Sequence, residues 1–213
     1  MSAAAFIHRF EAGTGPEATP LLLLHGTGGN ESDLLPLGRA VAPDAALLAP
    51  RGKVLEHGMP RFFRRLAEGV FDEDDVRRRA DELADFVENA RTRYGVGAPV
   101  ALGYSNGANI AAAMLLLRPE VLSGAILLRA MMPLTAAAPV DLAAKPVLIL
   151  SGAQDPIVPA ENAARLADLL RASGAAVEHR TLPVGHGLSN ADATMVQQWL
   201  RKLTARIDKT AVA

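Results

Sequence analysis

The pentapeptide Gly103-Tyr104-Ser105-Asn106-Gly107 constrains this chain more than any other stretch. Before it lies the short apolar run Pro-Val-Ala-Leu-Gly at 99–103. After it, residues 106–118 are rich in alanine and leucine and end at Pro119. That order reads as strand, sharp turn, helix, with Ser105 at the turn. A serine in so tight a bend is strained, and side chains on its neighbours would obstruct it; glycine at 103 and 107 removes the obstruction. The hydroxyl is then pushed into the open at a helix N-terminus, where unpaired N–H groups and the helix dipole favour negative charge. With seven serines and 18 glycines in 213 residues, chance supplies roughly 0.05 such pentapeptides, so the weight rests on its surroundings.

Those surroundings alternate between strand and helix. Leu21–Leu24 is apolar on both faces, as in a parallel strand covered by helices. Further strands are expected at 3–10 (an edge), 45–49, 124–128, 146–150 and 176–182. Helices are expected at 31–42, from Asp72 or Asp74 to Gly95, at 161–173 and from Ser189 onward. In the second of these, Val76, Ala80, Leu83, Val87, Ala90 and Tyr94 form a stripe with helical spacing; in the last, Ser189 and Asp192 resemble a capping box. Alternating strands and helices imply a mostly parallel central sheet with helices on both faces, and 213 residues suit one domain spanning 1–213. Residues 51–71 fit neither period, and so long a connection suggests a pocket wall.

In such a sheet, functional side chains collect at the carboxyl ends of strands. A serine nucleophile needs a base, and the base needs an acid to orient it, here in the chain order Ser, acid, His. Of the five histidines only His179 and His186 follow plausible acids. His179 falls inside a strand pattern, whereas His186 sits in the loop Gly185-His186-Gly187 after the last strand. Asp155 follows the 146–150 strand at its carboxyl end; Asp141 precedes that strand, Glu161 and Asp168 belong to a helix and Glu178 to a strand. A local Asp-Pro turn is the alternative role for Asp155. The oxyanion requires two preorganised donors: the backbone N–H of Asn106, and a donor from the loop His25–Asn30, where Thr27 is best placed. That loop lacks a phosphate-cradling glycine pattern, and His25 is expected to be structural.

Composition excludes several functions. The absence of cysteine rules out disulfides, thiolate metal sites and a cysteine nucleophile. A net charge of −1 gives no footprint for nucleic acid. No apolar run approaches the ~20 residues of a membrane span and no leader pattern opens the chain, so a cytoplasmic protein without stable membrane insertion is expected. No cofactor or metal is called for. Arg61, Arg64, Arg65 and Arg129 are read as solvated charges, with pairing to a carboxylate-bearing substrate as the alternative. Apolar pocket walls are expected from Met59, Phe62 and Phe63, and from Met131, Met132, Pro133 and Leu134, with core packing or a dimer contact as the alternative for either group. The loop from Arg129 to Asp141 is too short for a lid, which favours an open site for small to medium acyl esters.

Taken together, the 25–30, 103–107, 152–159 and 185–187 motifs resemble the α/β-hydrolase superfamily. Within it they resemble the phospholipase/carboxylesterase family, which includes acyl-protein thioesterases and small bacterial carboxylesterases. The stretch 50–63 is similar to the bacterial branch, some members of which are associated with quinone stress. The resemblance implies a cofactor-free carboxylesterase with Ser105, Asp155 and His186 as triad, Thr27 and Asn106 at the oxyanion hole, and a small-molecule ester as substrate. Thioester or lysophospholipid cleavage by the same groups, and a non-catalytic binding protein, are the alternatives, and a homodimer is compatible with it. Thioesterase members usually carry Gln after the serine, where this chain has Asn106; the backbone donor survives the change.

Overall fold

The apolar runs assemble into one sheet in a computed structural model that describes residues 6–15, 18–135, 138–142 and 145–211, with side chains described through residue 205. The first half of the chain supplies β1 (His8–Glu11), β2 (Leu21–Leu24), α1 (Leu35–Val41) and β3 (Leu47–Pro50). Residues 51–71 then form two small hairpins, β4 (Val54–Glu56) with β5 (Met59–Arg61) and β6 (Arg65–Ala67) with β7 (Val70–Phe71). The remainder is α2 (Glu73–Tyr94), β8 (Val100–Tyr104), α3 (Asn106–Leu117), β9 (Gly124–Leu128), β10 (Pro146–Gly152), α4 (Ala160–Ala172), β11 (Ala176–Leu182) and α5 (Asn190–Ala211).

Seven strands pair in the order β1-β3-β2-β8-β9-β10-β11, and only the β1–β3 pairing is antiparallel. The expected mostly parallel sheet is therefore present. Side chains alternate strictly across it. Leu22, Leu24, Ala101, Leu127 and Ile149 face a core closed by α2, α3 and α4, while Leu21, Leu23, Leu102, Leu128 and Leu150 face the core under α1 and α5. Strand order reverses between β2 and β8, and in sheets of this kind the crevice at the carboxyl ends beside such a reversal is where ligands bind.

Local signals account for most boundaries. Asp72 caps α2 by accepting from the Asp75 N–H at 3.2 Å, and Gly95 ends it in the left-handed conformation, φ 65°. The stripe Val76, Ala80, Leu83, Val87 and Ala90 is buried, with Tyr94 at its margin. Helix α1 begins at Leu35 rather than at residue 31. The Asn30 side chain accepts from the Ser32 N–H at 2.8 Å, which folds residues 30–33 into turns before Pro36 starts the helix. The edge strand is His8–Glu11, and residues 3–5 of the expected span lie outside the described residues. No lid covers the sheet among the described residues, and no helix there is long and apolar enough to cross a membrane.

Candidate active site

Ser105 sits between β8 and α3 with φ 52° and ψ −113°, a conformation that costs a non-glycine residue about 1–3 kcal/mol. Its N–H bonds to the Leu128 carbonyl at 2.8 Å, and its carbonyl accepts from Asn109 at 3.0 Å, so the bend is clamped from both sides. Gly107 is obligatory for a steric reason: a Cβ there would overlap the Leu24 carbonyl at the end of β2. The elbow and the His25–Asn30 loop are thus packed backbone to backbone.

Asp155 follows β10 and His186 follows β11, adjacent parallel strands. Their loops also meet closely, because a Cβ on Gly152 would come within 2.6 Å of the Gly185 carbonyl. His186 Nδ1 lies 2.8 Å from Asp155 Oδ2, and His186 Nε2 lies 2.9 Å from Ser105 Oγ. The other carboxylate oxygen of Asp155 accepts from the N–H groups of Ile157 at 2.8 Å and Val158 at 3.1 Å. Burial of this carboxylate, whose side chain is 0% exposed, pushes its pKa up. The Ile157 amide, His186 and the Val158 amide together outweigh that and hold it below the usual Asp value. An ionised Asp155 can only accept, so Nδ1 carries the imidazole proton and Nε2 is left to accept the Ser105 hydroxyl proton.

His179, the other histidine considered for the base, is held within β11, its Nε2 2.9 Å from Ser151 Oγ. His25 is buried and structural: Nε2 accepts from the Gly52 N–H at 3.0 Å and Nδ1 donates to the Gly26 carbonyl at 2.7 Å. Burial lowers its pKa, which fits a neutral imidazole tying the loop after β2 to the one after β3.

A cavity of about 350 Å³ opens beside Ser105, with Thr27, Asn106 and His186 on its wall. Of the expected apolar lining, Met131 is there. Phe62 and Phe63 are instead core residues, because the hairpin chain turns inward between Arg61 and Arg64. Met59 lies outside the cavity, near Gly28. Met132 also lies outside, its N–H fixed to Asn162 Oδ1 at 2.5 Å and its side chain packed on the core. Two asparagines in the first turn of α3 hold the walls in place: Asn106 Oδ1 accepts from the Phe62 N–H, and Asn109 Oδ1 from the Met131 N–H, both at 2.7 Å.

The arginines divide. Arg64 is 66% exposed and paired with Asp72, as a solvated charge should be. Arg61 and Arg129 are corrections to that expectation, at 3% and 0% exposed. Arg129, directly after β9, spends all five of its N–H donors. Nε donates to the Gly185 carbonyl, Nη2 to the Gly187 carbonyl and Asp192 Oδ2, and Nη1 to Asp192 Oδ1 and the Leu150 carbonyl, at 2.8–3.3 Å. It grips the chain on both sides of His186. Asp192, which the sequence marks only as a cap, also accepts from the Ser189 N–H and hydroxyl at 2.8 Å. The sequence signal was position alone: Arg129 directly follows a central strand that lies between those carrying Ser105 and Asp155.

The topology, with its elbow at a switch point and an acid and a histidine at the next strand ends, defines an α/β hydrolase. A family model described as Phospholipase/Carboxylesterase matches residues 7–204. The chain is 47% identical over 197 residues to the putative hydrolase MhqD of Bacillus subtilis (strain 168), covering 92% of this chain and 98% of that protein. A crystal structure of a Bacillus cereus carboxylesterase superposes with a TM-score of 0.89 at 44% identity, covering 91% of this chain and 92% of that one. A Mesorhizobium loti carboxylesterase does so with a TM-score of 0.83 at 37% identity, covering 86% and 88%. The chain therefore belongs to the phospholipase/carboxylesterase family, and it is an esterase-type hydrolase.

Proposed function

We propose that the chain hydrolyses carboxylic esters of small to medium acyl chain through an acyl-enzyme formed on Ser105. The observation that carries this reading is the unbroken hydrogen-bonded line from Ser105 Oγ through His186 to the buried Asp155 carboxylate. Ser105 Oγ attacks the ester carbonyl as its proton passes to His186 Nε2, and the backbone N–H of Asn106 and a donor at Thr27 receive the oxyanion. Collapse breaks the bond to the alkoxy oxygen, which leaves with the proton held by His186. Water then gives a proton to His186, attacks the acyl carbon and releases the acid, and Ser105 recovers its proton. Asp155 orients the imidazole and stabilises its positive form. The cavity of about 350 Å³, with no lid over it among the described residues, supports a compact acyl group. The same reading takes residues 1–213 as one domain, acting in the cytoplasm on a small-molecule ester.

The test is hydrolysis of 4-nitrophenyl esters from acetate to laurate by the native chain and by Ser105→Ala. Activity that peaks at short chains and vanishes in the variant is expected. A native chain inactive at every length, or a variant that retains turnover, overturns the reading. Thioester and lysophospholipid analogues assayed alongside settle the leaving group.

A further inference from the structure

The cavity beside Ser105 has a cationic side, where two guanidinium groups share one ion-paired carboxylate among the described residues. Two guanidinium groups reach it, Arg61 from β5 and Arg65 from β6. One carboxylate, Glu56 on β4, serves both: Arg65 Nε donates to Oε1 at 2.8 Å, and Arg61 Nε lies 3.1 Å from Oε2 without the alignment of a hydrogen bond. Arg61 is otherwise held by the Phe63 carbonyl at 3.2 Å and by Thr27 Oγ1 at 2.5 Å, which places its charge against the loop expected to receive the oxyanion. Glu68, which lines the cavity, is exposed and makes no ion pair among the described residues, so solvent screens it. Asp155 is already committed to His186.

A buried cation that shares with a second cation the one counterion it has among the described residues is held at a cost, since desolvation and like-charge repulsion both oppose it. Both act on Arg61: burial first, then the neighbouring Arg65, push its pKa below the ordinary arginine value, and Glu56 offsets only part of this. Two guanidinium groups on the wall of one cavity, sharing one carboxylate, form a receptor for a further carboxylate, which accepts from several donors at once.

Resting on the esterase reading above, we infer that the preferred substrates are esters bearing a free carboxylate close to the scissile bond, which Arg61 and Arg65 bind. The arginines act on binding and selectivity; the acyl transfer itself is that already described. Arg65 is the better one to alter, because it is half-buried and its hydrogen bond goes to Glu56, whereas Arg61 bonds Thr27 directly.

The experiment compares kcat/KM for mono-4-nitrophenyl succinate with 4-nitrophenyl butyrate, and for 4-acetoxybenzoate with phenyl acetate. One pair places the carboxylate on the acyl side and the other on the leaving group. The native chain is expected to prefer the anionic member of at least one pair by about tenfold or more. Arg65→Gln is expected to abolish that preference, and the exposed Arg64→Gln to retain it. Raising the salt concentration should leave most of it, since the pair is partly buried. If the neutral esters are cleaved and neither anionic partner is preferred, or if Arg65→Gln keeps the native ratio, the inference is overturned while the esterase reading stands. If no ester is cleaved but a fluorophosphonate labels Ser105, protection by succinate and not by succinamide upholds the inference, and equal protection overturns it. If Ser105 is neither labelled nor active, the esterase reading falls and takes the inference with it.

Discussion

The two halves of the site are built by different means. Ser105, Asp155 and His186 stand on strand ends locked by main-chain contact, where Gly107 touches the β2 carbonyls and Gly152 touches the loop that carries His186. The opposite wall, residues 51–71, consists of two hairpins with strands of two or three residues, joined to the body largely by side chains, with a main-chain bond from the Gly28 N–H to the Pro60 carbonyl. Asn106 holds the Phe62 N–H, Asp75 holds the Arg64 N–H at 2.7 Å, and Glu56 links one hairpin to the other. A group that must sit within a few tenths of an ångström of its partner is tied to the sheet, while the surface that selects a substrate hangs from bonds that one substitution can exchange. Leu55, Leu66 and Val70 on these hairpins are exposed, so the apolar anchoring of the wall falls to Phe62 and Phe63 between the hairpins and to Phe71.

The largest effect should therefore come from the strand-end groups. His186→Ala is expected to lower kcat by on the order of 10⁶, and Asp155→Asn by about 10⁴, since the amide can donate to Nδ1 and favour the wrong tautomer. Stopped-flow release of 4-nitrophenolate measures both. If a wall substitution such as Arg65→Gln removed as much from kcat on a neutral ester, the division between the two halves would be broken.

Next is Arg129, which belongs to the strand-end half although it touches no reacting atom. Arg129→Lys keeps the charge but cannot span Gly185, Gly187 and both Asp192 oxygens. With the His186 loop freed, a displacement of ~1 Å is expected to lower kcat by about 10², with KM changed far less. Circular dichroism and a urea titration accompany the assay, because a mismatched buried ion pair also costs stability, about 3–5 kcal/mol when one partner is lost. A fall in kcat that restoring fold with a stabilising osmolyte reverses completely would make Arg129 structural only.

Stability against pH sharpens the same contrast. The Asp155 carboxyl is depressed in the folded chain relative to its ordinary pKa of about 3.9, so between roughly pH 5 and pH 3 the unfolded chain binds more protons. Its contribution is present above that window and is lost as pH falls through the folded pKa. Asp155→Asn should then show a shallower decline of unfolding free energy with acid than the native chain, read from urea midpoints at half-unit intervals. The decline should not vanish, because Asp192 is depressed as well: Arg129 and Ser189 outweigh the burial that pushes it up. Equal slopes in the two proteins would mean that the Ile157 and Val158 amides do not hold the carboxylate as the geometry implies.

The strand-end half was legible in the sequence and the wall was not, for the same physical reason. Leu21–Leu24, the stripe on α2 and the glycines around Ser105 follow local rules of period and steric access, which any window of the chain displays. Residues 51–71 have no such period. Their strands are too short to alternate, and Phe62 and Phe63 are buried where partners distant in sequence hold the chain, Asn106, 44 positions away, at Phe62 and Asp75 at Arg64. Arg61 and Arg129 were misjudged because a formal charge reads as surface until a partner is known. The partners of Arg129 are Asp192 and three carbonyls distant in sequence.

The smallest effect is expected from the charge that does behave as a surface group. Arg64 is paired with Asp72, yet most of its side chain is in solvent, so the pair is screened and its ordering entropy offsets much of the attraction. Asp72 meanwhile keeps its separate task at the N-terminus of α2, where it accepts from the Asp75 N–H. Arg64→Gln should consequently shift unfolding free energy by no more than about 0.5 kcal/mol, whereas Asp72→Ala, which removes the cap, should cost about 1 kcal/mol. Equal losses from the two substitutions would show that the ion pair and not the cap anchors the second hairpin, and the wall would then depend on a single exposed contact.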